Sequence, residues 1–155
     1  MRFILALSIF CFSPLADEPL SRAERICALT LLAEARGEGK VGLFAVACVV
    51  QRRVWERGIS PDQVCLEKWQ FSPWNTTDIF GNHRFKKETE LNYLWDSKEK
   101  TYARHLARCL NNKNIILKDI TNKSNHFHAI GQKPDYLKNN KPVKIIGNHA
   151  FYRLP

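Results

Sequence analysis

The sequence predicts an α+β fold that is mainly α, a helical core with a small β element in the C-terminal third. Three observations predict it. Residues 22–36 and 40–55 are apolar stretches of helical length bounded by start and stop signals. Residues 88–111 carry an apolar face of Leu91, Leu94, Trp95, Tyr102, Leu106, Cys109 and Leu110. Beyond residue 112 the character changes: Ile115-Ile116-Leu117, then Phe127 alternating with His126 and His128, then Ile145-Ile146 before Gly147-Asn148. Gly-Asn suits the two-residue turn of a hairpin.

The elements follow in order. Ser21-Arg22-Ala23-Glu24 is a capping box, which starts the first helix at Arg22. Ile26, Cys27, Leu29, Leu31, Leu32 and Ala33 make that helix apolar on most sides, the mark of a central buried helix. Gly37 is expected to stop it in the left-handed conformation. A second helix runs from about Lys40 to Trp55; Val46 to Val50 is β-branched in part, but the stretch is long and does not alternate. Ser60-Pro61-Asp62-Gln63 opens a short helix ending near Lys68. Residues 69–87 mix Trp69, Phe71, Trp74, Phe80 and Phe85 with turn residues and read as an ordered, functional loop. Helix returns at 88–111, with a break available at Asp96-Ser97.

Length and composition bound the organisation. Residues 1–16 read as an export signal: Arg2, an apolar run from Phe3 to Phe12, then Ser13-Pro14-Leu15-Ala16 before an acidic pair. That run is too short to span a bilayer, which takes about 20 residues, and no stable membrane span is expected elsewhere. Residues 17–155 are then one domain, read as a monomer. A net charge of +9 spread along the chain favours an anionic polymer. Export turns that preference away from nucleic acid, so no nucleic-acid partner is expected. Outside the signal stand Cys27, Cys48, Cys65 and Cys109, spaced neither as a zinc knuckle nor as a redox pair. Cys27 and Cys48 fall in apolar helices, while Cys65 and Cys109 flank expected loops and form the better disulfide pair.

The chemistry centres on Glu34, in Ala33-Glu34-Ala35-Arg36-Gly37-Glu38. It sits in the last turn of an apolar helix, where burial and the negative end of the helix dipole both raise a carboxyl pKa. A carboxyl that keeps its proton near neutrality can protonate the leaving oxygen of a glycosidic bond. Glu38 is the alternative acid, but it sits at the next helix's N-terminus, where charge is favoured. Asp119 is a possible supporting carboxylate or a turn cap. Arg36 reads as an ordinary ion-pair residue. Gln70, Ser72, His126 and Tyr152, with neighbouring aromatics, offer hydrogen bonds and flat faces for positioning a sugar substrate.

Several pieces occur in one order along the chain: Ala33-Glu34-Ala35-Arg36-Gly37-Glu38, Ala45-Val46-Ala47 with Val49 to Val54, Val64-Cys65 and Gln70-Phe71-Ser72. Asn125-His126-Phe127-His128 and Ile146-Gly147-Asn148-His149-Ala150-Phe151-Tyr152 complete the set. In this the chain resembles the SleB-like cell wall hydrolase family, typified by a spore-cortex-lytic enzyme. The resemblance implies a lysozyme-like fold, lytic cleavage of peptidoglycan glycan strands, and Glu34 at the position of the catalytic acid. Two departures stand out: Gln51-Arg52-Arg53 replaces the family's asparagine-arginine pair, and Thr121-Asn122-Lys123-Ser124 replaces a glycine-rich loop.

A lytic transglycosylase needs one acid/base and no cofactor or metal, because the C6 hydroxyl of N-acetylmuramic acid attacks its own C1. The scarcity of acidic residues in these segments suits that scheme. One rival is a zinc amidase or peptidase with His126, His128 and His149 as ligands. A basic binding protein without catalysis is the other, though no nucleic-acid module signature is present.

Overall fold

Ser21 and Glu24 start the central helix by closing the expected capping box. Ser21 Oγ accepts from the Glu24 amide at 3.2 Å, and Glu24 Oε2 accepts from the Ser21 amide at 2.8 Å. The helix, α1 (Arg22–Ala35), buries every residue from Ile26 to Leu32 and packs against each of the other three α-helices. The computed structural model describes residues 18–132, 134–137 and 139–155; the expected export signal at 1–16 lies outside them. Among the described residues, no helix is long and apolar enough to cross a membrane.

The exit from α1 differs from the expectation. Gly37 does not take a left-handed conformation; a 3-10 turn, Arg36–Glu38, follows directly and the reversal is deferred to Gly39, at φ +65°. The turn's own hydrogen bonding carries the chain round, so Gly37 has no need of the left-handed exit. Helix α2 (Gly39–Arg57) then runs to Gly58, whose left-handed backbone (φ +66°) closes it. Val46 to Val50 are helical and buried. Helix α3 (Pro61–Cys65) has the expected box, with Gln63 Oε1 accepting from the Ser60 amide at 3.0 Å. It ends earlier than Lys68, because the Leu66 amide bonds back to both Asp62 and Gln63 and tightens the last turn.

Residues 69–87, read as loop, contain a small hairpin. Strands β1 (Asn75–Thr77) and β2 (His83–Phe85) pair antiparallel, and Asp78 Oδ1 holds the connection by accepting from the amides of Phe80 and Asn82. Strands of three residues are too short to show a period, so sequence reading missed them. Residues Glu88–Asp96 form 3-10 helix and not α-helix, and the break falls at Ser97 as expected. Helix α4 (Lys100–Asn111) follows.

The C-terminal third supplies the predicted β element. Strands β3 (His126–Ala129), β4 (Lys144–Ile146) and β5 (His149–Tyr152) form an antiparallel sheet ordered β3-β5-β4, with Gly147-Asn148 turning β4 into β5. Ile115-Ile116-Leu117 joins no ladder. Gln51 on α2 holds that segment instead, accepting from the Leu117 amide at 3.0 Å and donating to the Ile115 carbonyl at 3.5 Å.

The four described cysteines are buried free thiols. Cys65 meets Cys27, not Cys109, which lies beside His105 at 3.6 Å. Cys65 is the last residue of α3 and belongs to the core, so its neighbours come from α1 and not from a loop.

At the core centre Trp74 Nε1 donates to Thr30 Oγ1 at 2.8 Å, and Thr30 Oγ1 donates to the Ile26 carbonyl at 2.8 Å. Both residues are essentially solvent-free. Thr30→Val keeps the shape but strands the indole N–H, and should cost about 1–3 kcal/mol of unfolding free energy by urea titration. A loss below a few tenths of a kcal/mol would mean that the indole finds another partner.

Candidate active site

Glu34 occupies the last turn of α1, beside Ala35, which is buried, and after Leu31 and Leu32, which are solvent-free. Its carboxyl makes no hydrogen bond or ion pair among the described residues. Burial pushes its pKa up to about 7, against an opposing pull from the Arg53 guanidinium. The carboxyl thus exchanges its proton near neutrality, the property read from its place in the sequence.

Arg53 organises the surroundings. It is 3% exposed, a rare burial for a cation. Its Nε donates to the Asn125 carbonyl at 2.7 Å, its guanidinium carbon lies 5.0 Å from the Phe71 ring centroid, and its Nη1 has no hydrogen-bond partner among the described residues. Burial lowers its pKa to about 10, and the nearby Arg57 adds to the effect. It remains charged near neutral pH. Sequence reading gave Arg53 no role at the site, although the signal was present. Val46, Val49 and Arg53 recur at helical spacing, which places the arginine on the buried face of α2.

The residues expected to position substrate gather around this arginine in part. Gln70 Oε1 accepts from Arg57 Nη2 at 3.2 Å, and Arg57 also pairs with Glu67. His126 Nδ1 is 2.9 Å from Asn125 Oδ1, and its ring lies 5.8 Å from that of Tyr136. Burial, then Arg53 and Arg57, push the His126 pKa down to about 4, so the imidazole is neutral at pH 7. Ser72 opens the short 3-10 turn Ser72–Trp74 and is exposed next to Phe71. Tyr152 pairs with His126 across the β3–β5 ladder. Its ring stacks on His128 at 5.0 Å and lines a depression of about 430 Å³ with Asp135 and Leu137. Asn125 and Tyr136 complete the cluster; neither was given a role at the site from the sequence.

The other carboxylates do structural work. Glu38 Oε2 accepts from the Asn148 amide at 2.8 Å and Oε1 from Asn148 Nδ2 at 3.1 Å, which pins the β4–β5 turn and lowers its pKa. A side chain at Gly147, itself left-handed at φ +55°, would collide with that carboxylate. Asp119 caps its own turn through Thr121 and Lys123, and these bonds outweigh burial to lower its pKa. Among the described residues Arg36 makes no ion pair; its guanidinium lies 5.5 Å from the Tyr93 ring centroid.

The three histidines of the metal reading do not converge. His126 and His128 share one face of β3, whereas the register of β5 places His149 opposite Ala129, on the other face, packed edge-on against Phe127. Among the described residues, no three His, Cys, Asp or Glu side chains group as metal ligands.

Two solved structures share the fold. One is the catalytic domain of the germination-specific lytic transglycosylase SleB from Bacillus anthracis: 18% identity over 88% of this chain and 98% of that one, TM-score 0.59. The other is the catalytic domain of the Bacillus cereus SleB protein, also 18% identical, covering 88% of this chain and 94% of that one, with TM-score 0.58. The fold is therefore lysozyme-like, as the resemblance implied. No curated protein sequence matches the chain. The sequence profile of the family described as Cell Wall Hydrolase matches residues 37–152, beginning three residues after Glu34. With three quarters of its length matched, the chain belongs to the cell wall hydrolase family.

Proposed function

We propose that this protein is a lytic transglycosylase that cleaves the glycan strands of peptidoglycan, with Glu34 as its single acid/base. One observation carries the reading. The carboxyl of Glu34 is mostly buried, without a partner among the described residues, and raised to about 7, in a fold shared with the catalytic domain of a lytic transglycosylase. In the reaction Glu34 donates its proton to the oxygen that links C1 of N-acetylmuramic acid to the next sugar. The C1–O bond breaks as positive charge develops on the ring. The muramic acid's C6 hydroxyl attacks C1 and gives its proton to the carboxylate of Glu34. A 1,6-anhydro ring and a free sugar hydroxyl are formed, Glu34 regains its proton and no water is consumed.

Hydrolysis through two carboxylates fits less well. Glu38 and Asp119 are held by backbone amides and kept ionised, one in the turn before β5 and one in its own cap. Arg53 suits the single-carboxyl scheme: it stabilises the carboxylate left after proton donation, yet it does not pair with Glu34 tightly enough to strip the proton beforehand. Neutral His126, Gln70, Ser72 and Tyr152 are proposed to position the sugars. The substrate lies outside the cytoplasmic membrane, so residues 1–16 are proposed to direct export and residues 17–155 to form the catalytic domain. The net charge of +9 favours approach to an anionic wall.

Digestion of purified sacculi followed by mass spectrometry should give anhydro-muropeptides. Products with reducing muramic acid ends would identify a hydrolase, and free stem peptides an amidase. Glu34→Gln should lower the rate on sacculi by about a thousandfold or more, as loss of an acid that also serves as base requires. Because the acid must be protonated, kcat/KM should fall as pH rises through about 7. A profile flat from about pH 6 to 9 would contradict Glu34 as the acid.

The same carboxyl has a cost in stability. Its folded pKa is raised above the unfolded value of 4.5, so folding weakens as pH rises from 4.5 to about 7 and stays weakened above that. A rise from 4.5 to about 7 corresponds to a penalty of up to about 3 kcal/mol. Glu34→Gln should therefore be more stable than the parent at about pH 8, by about 1–3 kcal/mol, and equal to it near pH 4. Urea denaturation at the two pH values checks this.

A further inference from the structure

Trp69 holds a backbone conformation that a bulky residue rarely adopts, φ +64°, in the segment that leads from α3 to Phe71. Such strain persists only where neighbouring groups enforce it. Here Asn75 enforces it. Asn75 Oδ1 accepts from the Trp69 amide at 3.0 Å, while Asn75 Nδ2 donates to the Phe71 carbonyl. The same oxygen receives His83 Nε2 at 2.6 Å. His83 in turn stands edge-on to both neighbours, 4.4 Å from the Trp69 ring centroid and 4.6 Å from that of Phe85. The β1–β2 hairpin therefore exists at this point as a brace: Asn75, His83 and Phe85 alternate onto one side of it and prop the indole.

The brace does not bury what it holds. Trp69 is 60% exposed and Phe85 41%. An indole fixed by strain, hydrogen bonds and an aromatic prop, yet left open, gains nothing for the core, which Trp74 and Phe71 fill nearby. A rigid aromatic face loses little side-chain entropy on binding and suits the apolar C–H face of a sugar ring. The ammonium of Lys68 lies 5.8 Å from the Trp69 ring centroid, so the face is flanked by positive charge. Two residues along the chain, Phe71 lies under the Arg53 guanidinium that acts on Glu34. Two residues span at most about 7 Å, so the backbone that carries the indole lies close to that of Phe71.

We infer that Trp69, propped by His83 and Phe85 and flanked by Lys68, is a sugar-stacking subsite that grips the peptidoglycan strand away from the bond being cut. Its partner is a saccharide ring of that strand, and Lys68 meets the carboxylates that the wall polymer carries. This deepens the glycan-cleaving reading and rests on it for the identity of the polymer.

The test measures binding of the full chain to purified sacculi by sedimentation, in a Glu34→Gln background so that the polymer is not consumed. Trp69→Gly removes the ring and also relieves the positive φ, so the fold is retained; thermal melting confirms it. Trp69→Phe keeps a stacking face. Trp69→Gly should raise the half-saturating sacculus concentration about tenfold, and Trp69→Phe by less than about threefold. Soluble glycan strands stripped of stem peptides should compete with sacculi for the parent and only weakly for Trp69→Gly. Parent-like binding by Trp69→Gly would overturn the subsite, as would competition by free stem peptides alone. The acid assignment is read separately: sacculi digested at the parent rate by the Glu34→Gln background would defeat that assignment, and the Trp69 comparison would then be read from initial binding, before the polymer is consumed.

Discussion

A buried guanidinium holds the two halves of this molecule in register. Arg53 projects from the helical core, bonds the backbone of Asn125 where the β3 strand begins, and lies over Phe71 in the segment leading to the hairpin. Burying a cation costs several kcal/mol unless polar partners and a neighbouring π-face offset it. Among the described residues Arg53 has one strong carbonyl bond, an aromatic face and an unpartnered Nη1. The desolvation is therefore only partly compensated, and the residual field falls on the groups around it. Glu34 is held back from a still higher pKa, and the burial that already lowers the His126 pKa is reinforced. One charge ties the site together mechanically and, second to burial, tunes its protonation states.

Glu34 shows the competition plainly. Burial and Arg53 act in opposite directions, and burial wins. A direct ion pair would reverse the outcome and leave an ionised carboxylate unable to donate. A drier site without the arginine would hold its proton too firmly to act as an acid near neutrality. The proposed chemistry needs a carboxyl that gives up its proton and takes one back, and the observed balance sits between those limits. A more stable protein with a neutral side chain at position 34 is physically accessible, and it would lack the acid.

The remaining carboxylates near the sheet show how one glutamate is reserved for chemistry while another serves the fold. Glu38 is four residues beyond Glu34, but it lies past the helix end and meets the amide of Asn148 and the Asn148 side chain. Its bonds fix the turn between β4 and β5, and β5 carries Tyr152 alongside His126. The contact requires a residue without a side chain at Gly147. Glu38 therefore supports the site by placing the sheet that borders it, in its ionised form, while Glu34 works in the dry environment of α1.

The sequence by itself determined the helices with cap signals, the hairpin turn at Gly147-Asn148 and the environment of Glu34. Each of these rests on local physics: capping boxes at Ser21 and Ser60, apolar periodicity, and a carboxyl embedded in an apolar helix. Family membership was legible from ordered short motifs for the same reason. Only the tertiary structure decided which distant groups meet. Arg53 carries its helical spacing in the sequence, but its partners Asn125 and Phe71 come from other elements. The contact of the Cys65 thiol with that of Cys27, and the separation of His149 from His126 and His128 by a strand register, have no local signature. Nor does the β1–β2 hairpin, whose three-residue strands are held by Asn75, Asp78 and an aromatic prop and not by any alternating pattern. Local propensity is additive along the chain, whereas pairing across it depends on the packing of the whole.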